Sequence, residues 1–452
     1  MCVSSPLLQF STTLPFPYVV VPLLLLLSLW TIYQLFLSPL SGIPGPFTAR
    51  LSRLWITQQA WNGKTHRTMI DLHSKYGPLV RTAPNEVSIS SLSAIKKYME
   101  QIHSEQRRMV SSAYSMASLK DLERYVNQSI EVFLARMGSM VGETVDMGKW
   151  LQLFAFDVIG EITFSRRFGF MEAGKDDGSF AQIVGAIKSA AWLCQLPWLY
   201  WFHEYLSPVL GSHLGINARH GSLRTFAARE ITARKDRGTD RKDILSKLFA
   251  IHDAKPEFDD NGIISMATGN IFAGSDTTAI SARAVIYYLL KNSKCLQKLK
   301  DEIDQYYHNG KLNDPVKLTE ADQMPYLQAV MYEALRLHPA VGMSLPRVVP
   351  EGGFEIEGVL LPAKTVVGVN PWVVHRDPNV FGEDVEAFRP ERWVEGDVGD
   401  MHRFFFAFGG GSRTCLGRNI SWMEMSKLIP TLLLHIDLDL ANSSAEWTEA
   451  CW

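Results

Sequence analysis

A mostly α fold with a minor β-sheet region, preceded by one N-terminal transmembrane helix, is the class the sequence predicts. Three observations lead to it. Residues 18–37 form a nearly unbroken apolar run. Long stretches from 92 to 338 carry apolar residues at helical spacing. Short β-rich segments bounded by turn residues occur near 76–90 and 346–370. The chain has 452 residues, 46% of them apolar, enough for a large core. A net charge of −2 with no basic run argues against a nucleic-acid partner. Five widely spaced cysteines (Cys2, Cys194, Cys295, Cys415, Cys451) contain no C-x-x-C pair, which disfavours a zinc site or a disulfide framework.

The N-terminal element comes first. Residues 1–49 hold no charged side chain. From Tyr18 to Leu37 the chain reads YVVVPLLLLLSLWTIYQLFL, and about 20 apolar residues in a helix span a bilayer core. A cleaved signal peptide fits less well, because the run is too long and lacks a basic n-region and a small-residue cleavage site. Arg50, Arg53 and Lys64 follow the run and no charge precedes it. The positive-inside rule therefore leaves residues 1–17 luminal and the body cytoplasmic, as in a single-pass protein of the endoplasmic reticulum. Residues 38–49 contain Pro39, Gly42, Pro44, Gly45 and Pro46 and are expected to form a stiff linker. Residues 50–452 make up the body.

Within the body, 76–90 predicts two strands around a turn at Ala83-Pro84-Asn85, and most of 92–252 reads helical. The aromatic stretch Trp192–Phe202 is either core or a surface touching lipid beside an access channel. Residues 261–290 hold only Asp276 and Arg283 as charges and read as the central helix of a soluble core. A further helix is expected over 320–338, with Leu327, Val330, Met331, Ala334 and Leu335 on one stripe.

The segment Phe408-Gly409-Gly410-Gly411-Ser412-Arg413-Thr414-Cys415-Leu416-Gly417 carries the chemistry. Its glycines allow main chain to approach a flat partner closely. Cys415 stands just before a helical stretch starting near Arg418, whose N-terminal N–H groups favour a thiolate. A phosphate cradle of the Walker type would need Gly-Lys-Ser/Thr, and no lysine is present. A lone cysteine is more often a small buried hydrophobe. Five fixed positions in F-x-x-G-x-R-x-C-x-G point the other way.

That segment resembles the haem-binding signature of the cytochrome P-450 superfamily, in particular the fungal branch that includes pisatin demethylase and benzoate hydroxylase. Three further landmarks follow the family order: Ala273-Gly274-Ser275-Asp276-Thr277-Thr278, Glu333-Ala334-Leu335-Arg336, and Phe388-Arg389-Pro390-Glu391-Arg392-Trp393. The resemblance implies a haem-thiolate fold that holds haem b (iron protoporphyrin IX), with Cys415 as axial ligand to the iron. Arg413 would reach a propionate, and Phe408 would shield the sulfur. His103 and Arg107 match the spacing of two further propionate contacts. Asp276 and Thr277 would form the acid–alcohol pair that delivers protons, with Gly274 leaving room for dioxygen and freed helix backbone holding a water. Glu333, Arg336 and Arg392 would form a buried charge network serving folding and haem retention. The implied reaction is RH + O₂ + two electrons + two protons giving ROH and water. Electrons would come from an NADPH-cytochrome P-450 reductase, the partners being O₂, a small organic substrate and the lipid bilayer, with no nucleic acid.

Two departures qualify this expectation. Between Met99 and His103 the family carries some tens of residues over the haem, and here they are nearly absent. The chain also stops soon after Leu440, where the family places a hairpin lining the substrate pocket. A non-catalytic haem-binding remnant is therefore one alternative. A haem-thiolate isomerase or dehydratase is the other, and the acid–alcohol pair speaks against it.

Overall fold

The apolar N-terminal run folds as a helix, Phe16–Ile32, that continues as a π-helical turn, Tyr33–Leu37. The computed structural model describes residues 16–93, 95, 105–210, 216–255 and 257–450. Among these, Val20–Leu37 is the one helix long and apolar enough to cross a membrane, with mean hydropathy 2.1 and 6% of it buried. A signal sequence would pass the same length and composition test.

The proline-rich segment that follows is docked onto the body. Leu40 and Ile43 are buried in a core cluster with Val87, Ile89 and Val367. Arg81, fully buried, donates to the carbonyls of Gln34, Leu40 and Pro84 and to the Ser38 hydroxyl. Its own N–H donates to Pro44 O at 2.7 Å. Gly45 lies so close that a Cβ there would stand 2.2 Å from the Arg81 carbonyl oxygen, so only glycine fits.

A small sheet receives this clamp. Strands β1 (Leu79–Ala83) and β2 (Glu86–Ile89) form a hairpin around Pro84-Asn85. Strands β3 (Leu345–Val348) and β6 (Val366–Val369) complete a four-stranded sheet in the order β1-β2-β6-β3. The β2–β6 pair is parallel and the others antiparallel. Strands β4 (Phe354–Ile356) and β5 (Val359–Leu361) form a separate hairpin.

The rest of the described chain is mainly helix. The central helix, Asp260–Lys291, is capped by the Asp259 carboxylate, which accepts from Gly262 N at 2.8 Å. A flanking helix, Met147–Phe164, packs along it and is buried from Leu153 onward. Gly274 explains the close fit: a Cβ there would meet Ile159 Cδ1 of the flanking helix at 3.0 Å. Gly274 thus serves helix–helix contact and also lines the cavity described below. The central helix is α-helical without a break, so no freed backbone is found in it. The helix expected over 320–338 is split into Leu318–Ala321 and Pro325–Leu337. Pro325 accounts for this, since proline suits only the first turn of a helix. Beyond Leu438 the chain forms no regular element through residue 450, and Trp447 stacks on His338 with ring centres 4.5 Å apart.

Replacing Arg81 with Met would strand several buried carbonyl acceptors, at a cost of roughly 2–4 kcal/mol. The expected result is a lower denaturant midpoint together with faster proteolysis within residues 38–46; unchanged cleavage there would contradict the clamp.

Candidate active site

The cysteine loop is built by its own backbone. Cys415 N–H donates to Phe408 O at 2.8 Å, and Gly409 N–H donates to Phe406 O at 2.8 Å. Gly409 (φ +69°) and Gly411 (φ +62°) turn the chain in the left-handed region, where side chains are strained. The helix Arg418–His435 begins immediately after the loop.

This loop forms one wall of a cavity of about 440 Å³, a size typical of cofactor and ligand sites. Phe408, Gly409, Arg413, Cys415 and Gly417 line that wall. The central helix lines another with Gly269, Asn270, Gly274 and Thr277. Of the three described cysteines, Cys415 alone lines this cavity. It counts as exposed, and the surface it exposes is cavity wall. Burial pushes its thiol up from the ordinary value, while the Gly417 N–H, Arg107 and Arg418 pull the other way. A Cβ at Gly417 would lie 3.8 Å from the sulfur, so glycine keeps that side open.

Cations gather at one edge of the cavity. Arg107 and Arg413 both line it. Burial lowers the Arg107 pKa first; Arg413 and Arg347 lower it further, and Cys415 opposes them. Two guanidinium groups on one wall suit an anionic partner. Arg347, on β3, acts on Arg107 through its charge, from a position the sequence reading did not single out. His103 lies outside the described residues.

The acid and the alcohol of the central helix point in different directions. Thr277 lines the cavity, and its hydroxyl donates to Ala273 O at 2.6 Å. Asp276, one residue earlier, faces the flanking helix and accepts from Gln152 Nε2 at 3.1 Å. Burial raises its pKa, against a lowering by Arg283. The two residues share a turn but make no hydrogen bond to each other.

The charge network is fully formed. Glu333 and Arg336 are both completely buried. Glu333 accepts from Arg336 Nε and Nη2 at 2.9 and 2.8 Å, from Arg392 Nε at 2.9 Å, and from Trp393 Nε1 at 2.8 Å. Arg336 also donates to the carbonyls of His375, Val385 and Ala387, and Arg392 to Phe381 O and Asp384. Nearly every polar atom in the cluster thus has a partner, the condition under which buried charge is tolerated.

A thiol opposite a long helix, glycines that admit a flat partner, apolar walls and two cations in the lining define a class. The site suits a planar cofactor that carries carboxylates and takes a sulfur ligand. Comparison with known proteins agrees. The family model of cytochrome P-450 matches residues 93–452. The cytochrome P-450 monooxygenase hepC of Aspergillus oryzae is 38% identical over 92% of this chain and 91% of its own length. The monooxygenase gsfF of Penicillium aethiopicum is 35% identical over 93% and 92%. Pisatin demethylase of Fusarium vanettenii is 33% identical over 94% and 88%. The chain belongs to the cytochrome P-450 family, in its fungal branch, and is a haem-dependent monooxygenase. The hepC alignment runs over 462 positions, more than the 452 residues of the chain, so that relative carries residues this one lacks.

Replacing Glu333 with Gln should leave buried guanidinium charge short of its counter-ion and cost roughly 3–5 kcal/mol. Thermal unfolding would report it, and an unchanged melting temperature would contradict the network's role. Glu424 gives a pH test. It is buried on the helix Arg418–His435, its Oε2 has no partner, and burial raises its pKa well above the ordinary 4.5. A raised carboxyl stabilises the fold below its unfolded pKa, and that contribution is lost as pH rises toward the folded value. Wild type should therefore match Glu424→Gln near pH 4 and fall below it as pH rises, by up to about 1.4 kcal/mol per pH unit. Parallel stability curves for the two proteins would contradict this.

Proposed function

We propose that this chain holds haem b on the thiolate of Cys415 and hydroxylates a small organic, secondary-metabolite or aromatic, substrate with electrons from an NADPH-dependent reductase. The observation that carries the reading is Cys415, a free thiol opening on the cavity that Thr277 enters from the opposite helix. Haem, when bound, would supply the chemistry of dioxygen activation, and Cys415 would hold it through its thiolate.

The chain's own residues do the rest. The N–H groups near Gly417 and Arg418, with Arg107, stabilise the sulfur as an anion. Arg107 and Arg413 suit two propionates. Phe408 sits under the Arg418 guanidinium, 5.8 Å from its ring centre, and shields the sulfur side. Thr277 is placed to hold a water or substrate hydroxyl in the cavity. Asp276 is placed to take protons from the flanking-helix side and pass them toward that wall, a step that needs an intervening water. The shortening near Met99–His103 lies outside the described residues, and the cysteine loop is described in full.

The same reading anchors the protein to the endoplasmic reticulum, body toward the cytosol. Apolar side chains beside the N-terminal helix support it. Leu54 and Trp61 are exposed, as are Trp198, Trp201, Phe202 and Tyr205 on the helix Pro197–Leu210. Arg53 ties the two groups together by donating to Gln195 O at 2.6 Å. Such a patch fits a lipid surface.

The test is the Soret band of the reduced protein under carbon monoxide. A red-shifted, thiolate-type band is expected in wild type and in Cys295→Ala, and its loss in Cys415→Ala. Retention in Cys415→Ala would overturn the ligand assignment. With the reductase present, oxygen-dependent product should fall by roughly 10²-fold in Thr277→Val, and undiminished product would remove Thr277 from proton delivery.

A further inference from the structure

His375 links the buried charge network to the cysteine loop. It follows the short helix Pro371–Val374 and is fully buried. One ring nitrogen, Nδ1, lies 3.0 Å from Arg336 O. The other, Nε2, accepts the N–H of Phe406 at 2.7 Å. A carbonyl can only accept and an N–H can only donate, so these partners select the neutral tautomer with hydrogen on Nδ1. The ring is also stacked flat on Phe405, centres 5.4 Å apart and planes 9° apart, and meets Phe381 edge-on at 5.8 Å. Phe406 in turn accepts from Gly409 N–H through its carbonyl. A continuous path therefore runs from Glu333 through Arg336, His375 and Phe406 to the turn preceding Cys415.

We infer that His375 is a positioning residue for the haem ligand, holding the start of the cysteine loop at a fixed distance from the charge network. Phe406 is buried, so its N–H without His375 would be left unsatisfied. Burial, assisted by the nearby charges of Arg336 and Arg376, pulls the imidazole down to about 3 against the Arg336 carbonyl, which keeps Nε2 an acceptor at physiological pH. Those two guanidinium groups are the charged groups set against it among the described residues. Second-sphere hydrogen bonds of this kind orient metal ligands without touching the metal.

The inference rests on Cys415 as the haem ligand, and the test separates the two. In full-length protein, His375→Leu should still take up haem. Its red-shifted carbon monoxide band should convert to the unshifted form about tenfold faster than in wild type, the factor one ordinary hydrogen bond is worth. The ferric/ferrous potential should move as well. His375→Asn, though smaller, keeps an N–H donor and a carbonyl acceptor and should recover part of the band lifetime. Equal lifetimes and potentials in His375→Leu and wild type would overturn the inference, as would a folded His375→Asn no better than Leu. Histidine ¹⁵N spectra of wild type provide a reading independent of any variant: hydrogen on Nε2 of His375 would also overturn it. If Cys415→Ala keeps the red-shifted band, the ligand assignment itself has failed, whatever His375 does.

Discussion

A carboxylate with no access to water, Glu333, is the constraint from which the site's geometry follows. Buried charge of this kind is tolerated only when its partners are complete, and five donors supply them here: two from Arg336 and one each from Arg392, Trp393 and the Arg389 backbone. Arg336 and Arg392 then use their remaining N–H groups on the carbonyls of Val385, Ala387 and Phe381. The stretch from Phe381 to Ala387, irregular after its first residue, is thereby pinned to the helix Pro325–Leu337. The helix Gly399–Arg403 then leads into the cysteine loop.

Opposite the loop stands a helix held by different means. The central helix meets the flanking helix at glycine and alkyl contacts such as Gly274 on Ile159, so its distance is fixed by packing rather than charge. A cavity between a charge-pinned loop and a packing-pinned helix can keep its width without a ligand's help. Such preorganisation lets a bound group meet its ligand and its proton donors without further rearrangement.

Much of this was legible in the sequence because the determinants are local. The cysteine loop depends on glycines and an arginine within ten residues, and the Glu333–Arg336 pair on a three-residue helical spacing. Arg392 was legible only because its Pro-Glu-Arg setting resembles the family's. What escaped depends on pairs far apart in the chain. The direction of Asp276 is set by Gln152, 124 positions earlier. The docking of residues 38–46 is set by Arg81. No periodicity or short spacing encodes such pairings. Gly274 shows a further limit: glycine announces that something comes close, and only the packed helices reveal that Ile159 is one such neighbour.

The central claim is a bond between the Cys415 sulfur and an iron held in this cavity. X-ray absorption at the iron edge of the haem-loaded, full-length protein measures it directly. One sulfur scatterer beside the four pyrrole nitrogens, lost in Cys415→Ala and kept in Cys194→Ala and Cys295→Ala, is the result this account predicts. A first shell of nitrogen and oxygen alone in the wild-type protein would contradict it.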